Sequence, residues 1–272
     1  CSPATRSSRC PPGSSPPNSP PRCARTRPTC CSGIARCAAR RPTKCRRHSA
    51  AAAATRCSLA RKAAMGSLDR QRWDALWQRL GGNPPADAFD ALLAAYGGAD
   101  RHYHSDRHIL ACLEHFDRWR QLALRPDLVE LGWWTHDLVY DTQRQDNEAA
   151  SAASTEHWLD HAGLAALRPA LRELIMATCH QAPPGDADAA LVVDIDLAIL
   201  PAPAPVYARY EADVRAEYAW VPEPLFRAGR GKLLRQLLEQ PALYHCEPLR
   251  QRWEAAARAN LRGALERLEQ PA

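Results

Sequence analysis

One short segment limits what this chain can fold into. Residues 128–134 are apolar apart from Glu130, and after Thr135 they lead into the adjacent pair His136-Asp137. Placing an imidazole and a carboxylate in a packed core costs free energy unless both groups are hydrogen-bonded or bound to an ion. A divalent metal satisfies both, because imidazole nitrogen and carboxylate oxygen are common ligands of such ions. We therefore predict a core that surrounds a polar, metal-binding centre.

Apolar residues elsewhere recur at helical spacing. The tryptophans and leucines of residues 73–80 lie at positions i, i+3, i+4 and i+7, and similar segments end at glycine or proline. Pro126 opens the helix that we expect to contain the His-Asp pair. The apolar segment 191–200 could be a strand, but its Leu-Ala-Ile-Leu sequence favours a helix. No segment alternates convincingly as a strand does, so we predict an all-α domain over residues 65–272 that buries one core.

The first 64 residues have a different composition. They hold 14 Lys and Arg, 8 of the 11 Cys and no Asp or Glu. With few large apolar side chains they cannot bury enough surface to offset the entropy lost on ordering, so we expect a disordered tail. Met65-Gly66-Ser67 resembles a translation start. We therefore favour a misplaced start over a transit peptide, and a transit peptide over a nucleic-acid-binding arm.

The basic charge of the whole chain belongs to those first residues. Removing their 14 positive charges from the net +6 leaves −8 for residues 65–272. An acidic domain makes long nucleic acid an unfavourable partner, because phosphate backbones are bound by Lys and Arg. No apolar run is long enough to suggest a membrane span, so we expect a cytoplasmic protein unless residues 1–64 are a transit peptide. The oligomeric state is left open.

Seven residues on four predicted helices are candidate metal ligands. Two of them, His104 and His108, lie four residues apart and so share one helix face. Histidine nitrogen and aspartate oxygen together form a ligand set for a divalent ion, with positions left open for water and substrate. The candidates are His104 and His108, His136 and Asp137, His180, and Asp194 and Asp196.

Six motifs in this order resemble one bacterial branch of the HD-domain superfamily of metal-dependent phosphohydrolases. They are Tyr-His-x3-His-Ile (103–109), Trp-x-His-Asp-x-Val-Tyr-Asp (134–141), Asn-Glu-x2-Ser-Ala (147–152), Ala-Thr-x-His (177–180), Asp-x-Asp-Leu-x-Ile-Leu (194–200) and Glu-Tyr-x2-Val (217–221). The resemblance covers residues 70–268 and implies an HD-domain helical bundle with a metal at its centre.

The resemblance also implies which residues hold the metal. They are His136, Asp137, Asp196 and either His104 or His108, with His180 and Asp194 as further candidates. We take His108 as the ligand and His104 as a neighbouring or substrate-contacting group, although the sequence leaves this choice open. The ion would be Mn, Mg, Zn, Fe, Co or Ni.

The implied activity is hydrolysis of a small phosphorylated molecule, with a nucleotide as one option. Glu148 or Asp141 would hold or deprotonate the attacking water. Four basic residues are candidates for contacting the phosphate, namely Arg101, Arg107, Arg230 and Lys232. Two alternatives stay open: a non-catalytic metal- or nucleotide-binding regulatory module of HD fold, and a two-iron site that carries out oxidative chemistry.

Overall fold

The computed structural model describes residues 67–270, which form α-helices joined by short turns, with no strand in that range. The expectations for residues 1–64 lie outside the described residues, whereas the predicted all-α fold is confirmed for the described ones. The helices are α1 (Arg70–Leu80), α2 (Ala88–Tyr96), α3 (Asp106–Trp119), α4 (Pro126–Thr135), α5 (Asn147–His161), α6 (Arg168–Ala177), α7 (Ala187–Asp196), α8 (Ala204–Glu217), α9 (Glu223–Glu239) and α10 (Glu247–Glu269). Short 3₁₀ turns occupy Arg120–Leu122, Ala165–Leu167 and Leu197–Ile199.

The ends of α1 follow from its sequence. The carboxylate of Asp69 accepts a hydrogen bond from the backbone N–H of Gln71 at 2.8 Å, as an N-cap residue does. Gly81 ends the helix with φ of 92°, a conformation that would strain a residue with a Cβ. The predicted apolar face is buried, and its Trp73 and Trp77 meet edge to face with ring centroids 5.6 Å apart.

Helix α4 carries the apolar segment and lies in the core, since every residue from Leu128 to Thr135 is buried. It packs against α1, α3 and α6. The expectation that the His-Asp pair lies inside this helix was wrong, because α4 ends at Thr135. The N–H of His136 still reaches the carbonyl of Gly132, but that of Leu138 bonds to Thr135, three residues back. This tighter turn ends the helix and places the pair just beyond it.

Proline-rich residues 201–205 separate α7 from α8. The prediction of a helix for the apolar segment 191–200 is confirmed, since α7 runs on into a 3₁₀ turn. Among residues 67–270, no single helix is long and apolar enough to cross a membrane. The segments Ala187–Ile199 and Ala204–Glu217 reach that length and composition only as a pair, with a bend of 97° between them.

Glu130 is the charged residue within the apolar segment, and arginines surround it. Its side chain is 1% exposed and accepts hydrogen bonds from Arg72 at 2.7 Å, Arg79 at 2.8 Å and Arg120 at 2.6 Å. Two of these arginines belong to α1 and the third follows α3. The buried carboxylate therefore ties α4 to both neighbours, and its desolvation is compensated by three cationic donors.

We expect Glu130→Gln to lower the free energy of unfolding by about 2–3 kcal/mol, because three guanidinium groups would lose their buried anion. Asp117→Asn makes the same chemical change at a carboxylate that is 51% exposed and bound to Arg72 alone, so it should cost less than about 1 kcal/mol. Urea denaturation of the full chain, followed by circular dichroism, measures both. Equal losses for the two variants would contradict a central role for Glu130.

Candidate metal centre

Residues from three parts of the chain meet beside the end of α4. His136 and Asp137 follow that helix, His108 lies in the first turn of α3, and Asp196 is the last residue of α7. The ligand atoms of His108, His136 and Asp196 all lie within 4.8 Å of one another. These three residues, called the metal group below, could hold a metal ion. The group includes His108, the histidine that the sequence analysis preferred over His104.

The distances suit a shared ion, and Asp137 adds a fourth atom. Nε2 of His108 lies 3.1 Å from Nε2 of His136 and 3.2 Å from Oδ1 of Asp196. Oδ2 of Asp137 is 3.1 Å from Nε2 of His136 and 3.6 Å from Nε2 of His108. Ligand atoms bound at about 2.1 Å to one ion are separated by about 3.0 Å at right angles and about 3.4 Å in a tetrahedron. With Oδ1 of Asp196 also 3.8 Å from Nε2 of His136, the atoms of His108, His136 and Asp196 are spaced as ligands of one ion would be, and Asp137 lies against both histidines.

An ion pair between His136 and Asp137, whose Nε2 and Oδ2 lie 3.1 Å apart, leaves polar atoms of the pair without a well-formed hydrogen bond. Within the described residues, Oδ2 of Asp137 and Nδ1 of His136 are buried and have no hydrogen-bond partner. Leaving a buried polar atom unpaired costs about 1–3 kcal/mol. A cation among the four atoms would satisfy the carboxylate oxygen and would also separate the lone pairs of two facing imidazole nitrogens. The residues present thus fit a divalent ion.

The electrostatics of the group favour positive charge. Burial opposes protonation of His136, but Asp137 and Asp196 outweigh it and raise the pKa of His136 to about 9. Burial acts to raise the pKa of Asp137, yet the neighbouring imidazoles, His136 above all, hold it well below its usual range. The pKa of Asp196 is likewise held low against burial, by hydrogen bonds from His108 and His180. The two carboxylates therefore stay ionised and attract a cation.

His180 contacts the second oxygen of Asp196. Its Nε2 lies 2.8 Å from Oδ2 of Asp196, while Oδ1 of the same carboxylate faces His108. The backbone of His180 has φ of 52°, a left-handed conformation that residues other than glycine rarely adopt. Such strain, of order 1 kcal/mol, persists where the surroundings demand it, often at functional sites. The geometry gives His180 the role of orienting Asp196.

Two other candidate ligands point to different partners. Nδ1 of His104 lies 2.7 Å from Oε2 of Glu217, a residue that the sequence analysis quoted in a motif but did not consider for the site. The buried carboxylate of Asp194 accepts hydrogen bonds from the backbone N–H groups of His245 and Cys246, each at 2.7 Å. Asp194 and Asp196 lie two residues apart on α7. The Asp194 carboxylate therefore contacts the loop before α10, whereas the Asp196 carboxylate belongs to the metal group.

The two residues proposed to activate water lie in different surroundings. Asp141 is exposed, and its carboxylate accepts a hydrogen bond from the N–H of Gln143 in its own turn. Glu148 lies beside Cys179, the residue before His180. Burial, together with the Glu148 carboxylate, raises the pKa of Cys179 to about 11. Neither carboxylate belongs to the metal group, so their catalytic role stays a prediction.

Two of the four candidate phosphate-binding residues have their guanidinium groups engaged elsewhere. Arg101 donates to the backbone carbonyls of Asp137 at 2.6 Å and Leu138 at 3.0 Å, which shapes the turn that carries the His-Asp pair. Arg230 is buried against Glu211 and also donates to the hydroxyl of Tyr210. Both arginines support the structure around the site rather than present a free cation to a substrate.

A cavity of about 300 Å³ opens onto the metal group. His108 and Asp196 form part of its wall, and exposed Arg107 lies at the same wall. The rest of the lining is mostly apolar. Lys232 is exposed on α9 and does not line this cavity. Of the four basic candidates, Arg107 is therefore the one that the structure places beside the metal group.

Comparison of the chain with protein-family models, with curated proteins and with solved structures finds no match. The resemblance to the HD-domain superfamily therefore stays a prediction that depends on the six motifs. The described residues independently supply a helical fold and a His-His-Asp group that could hold a metal ion.

We expect the full chain to bind about one divalent ion, and His136→Ala and Asp196→Ala each to abolish binding, because each removes one of three or four ligands. Asp213→Asn is the control, since Asp213 lines the same cavity but lies outside the metal group. Elemental mass spectrometry after dialysis measures the occupancy, and circular dichroism checks the helicity. Full occupancy in folded His136→Ala would contradict this site, and occupancy near two would favour a dinuclear centre.

Proposed function

We propose that this chain is a metal-dependent phosphohydrolase that acts on a small phosphorylated molecule. The observation that supports the proposal most is the ligand-like spacing of His108, His136 and Asp196, with Asp137 against the two histidines. Nitrogen and carboxylate oxygen from three helix ends suit the divalent ions used in phosphate ester hydrolysis. The six sequence motifs support the same reaction class by resemblance.

The residues around this point would divide the work. A bound divalent ion would supply a nucleophile from water at neutral pH and polarise a phosphoryl oxygen. His180 would keep Asp196 oriented, and Arg101 would keep the turn at Asp137 in place, through the contacts described above. Arg107 would pair with phosphate oxygens at the cavity wall, where a guanidinium can bind two oxygens at once.

The size and charge of the surroundings support a small substrate. A cavity of about 300 Å³ is at the lower end of the range for small-molecule sites. The acidic charge of residues 65–272 disfavours the long phosphate backbone of a nucleic acid. We therefore propose a compact phosphate ester, with nucleoside monophosphates as one class to test.

One observation favours the second candidate, a regulatory module that binds a metal or nucleotide without turnover. The carboxylate of Asp141 serves its own turn, and neither it nor Glu148 belongs to the metal group. Such a module needs the ligand group and the cavity but no group that deprotonates water. Tight nucleotide binding without hydrolysis would identify it.

Hydrolysis is tested with the full chain loaded in turn with Mn, Mg, Zn, Fe, Co and Ni, against a panel of phosphomonoesters and phosphodiesters. We expect turnover with at least one ion, and a loss of at least about 100-fold in Asp137→Asn because the ion would be lost or misplaced. Asp117→Asn, on the same helix as His108, is the control and should keep the activity. Metal-loaded protein that hydrolyses none of the substrates would contradict the proposal.

We also expect Arg107→Gln to raise KM for the best substrate about tenfold with a smaller change in kcat, because a charge-assisted contact to the phosphate would be lost. Arg118→Gln removes a cation from the same helix at an exposed position away from the cavity, so its steady-state kinetics should match the wild type. An unchanged KM in Arg107→Gln would exclude Arg107 as a phosphate contact.

A further inference from the structure

A buried carboxylate next to the metal group accepts five hydrogen bonds. Oε1 of Glu217, at the end of α8, accepts from the consecutive backbone N–H groups of His102 at 2.9 Å, Tyr103 at 2.7 Å and His104 at 2.9 Å. Oε2 faces Nδ1 of His104 at 2.7 Å and accepts from the hydroxyl of Tyr140 at 3.0 Å. The Glu217 side chain has no exposed area.

These contacts hold the ring of His104 in one place. It stacks on Tyr140 with centroids 4.2 Å apart and planes 24° apart, and it meets Tyr103 edge to face at 4.9 Å. Its centroid lies 5.9 Å from that of His108, a member of the metal group. The His104 side chain is 24% exposed. Because Nδ1 faces the fully buried Glu217, the accessible edge of the ring is the one that carries Nε2.

We propose that Glu217 is a positioning residue that holds His104 so that Nε2 of His104 contacts the phosphoryl group of a substrate at the metal centre. The inference rests on the proposed phosphohydrolase function and names a second contact for the same substrate, apart from the ion and Arg107. In this contact Nδ1–H of the doubly protonated ring donates to Glu217 and Nε2–H donates to a phosphoryl oxygen.

If Glu217 only fixed the backbone of residues 102–104, it would not need to contact the His104 ring and the Tyr140 hydroxyl as well. The three backbone donors are satisfied by Oε1, while Oε2 is used on an imidazole and a phenol. A carboxylate that accepts from Nδ1–H fixes the orientation of the ring and stabilises its doubly protonated form, so that Nε2–H can donate to an anion. His104 lies just before α3, and its neighbours His102 and Tyr103 line the cavity that opens onto the metal group. With its ring 5.9 Å from that of His108, it lies close enough for a ligand bound at the ion to reach it.

His104→Asn separates the contact of His104 with Glu217 from its proposed contact with phosphate. The asparagine amide nitrogen can occupy the place of Nδ1 and donate to Glu217, so the first contact is kept, but no atom replaces Nε2. We expect the Mn-loaded full chain to lose affinity for inorganic phosphate by about tenfold in this variant, the effect of one charge-assisted hydrogen bond. Isothermal titration measures phosphate binding, and elemental mass spectrometry should show unchanged manganese.

Glu217→Gln tests the positioning. The amide oxygen can still accept from the three backbone N–H groups, but its NH₂ now faces Nδ1, which must become an acceptor. We expect His104 to lose its Nδ1 proton, and with it the positive charge of the ring, while Nε2 keeps its proton, as read from ¹⁵N chemical shifts. Phosphate affinity should fall between those of the wild type and His104→Asn, because a neutral donor replaces a charged one. Glu254→Gln is the matched control, because Glu254 accepts the backbone N–H groups of Leu243 and Tyr244 with no histidine attached.

Several outcomes would overturn the inference: loss of manganese in His104→Asn, wild-type phosphate affinity in that variant, or no phosphate binding by the wild type. Unchanged protonation of His104 and unchanged phosphate affinity in folded Glu217→Gln would overturn the positioning role, and if that variant fails to fold, His104→Asn decides. Phosphate binding that depends on His104 without ester hydrolysis would uphold this contact and reject the hydrolase. Ester hydrolysis together with a phosphate affinity that does not depend on His104 would uphold the hydrolase and reject this contact.

Discussion

Two imidazole nitrogens that face each other at 3.1 Å are the contact on which the rest of the site depends. Two lone pairs repel at this distance, so a proton or a metal ion has to lie between or beside them. The neighbouring carboxylates stabilise such a positive charge, because the pKa values of Asp137 and Asp196 are held low and both groups stay ionised. Asp137 also has a buried oxygen without a hydrogen-bond partner among the described residues. Helices α3, α4 and α7 meet where this positive charge is needed.

Helix α4 and the turn that follows it carry two carboxylates, Glu130 and Asp137, which differ in how they are compensated. Glu130 receives three guanidinium groups and holds α1 and the end of α3 against the core. Asp137 receives none, because Arg101 binds its backbone carbonyl instead of its side chain. An arginine that shapes the turn but leaves the carboxylate oxygen open is what a metal ligand requires, since a direct ion pair would occupy the ligand atom.

Periodicity and helix-ending residues were enough to predict the helical fold, because a helix such as α1 depends on local signals, namely the spacing of its apolar residues and the glycine at its end. The end of α4 was misplaced, since it depends on a single change from i−4 to i−3 hydrogen bonding at Leu138. The choice between His104 and His108 could not be made from the sequence. Both lie on one helix face by spacing, and the partner that draws His104 away, Glu217, is 113 residues distant.

The same limit applied to the charged residues. Arg101, Arg230 and Asp194 were candidates by residue type, but their partners come from remote parts of the chain and could not be identified from spacing.

A module that only binds a metal needs the ligand atoms and their orienting partners. It has no need of an imidazole held by a carboxylate that accepts five hydrogen bonds, one of them from the ring, nor of an arginine on the cavity wall. Both features favour a ligand beside the ion, so we propose that the substrate phosphate contacts Arg107 at the cavity wall and Nε2 of His104.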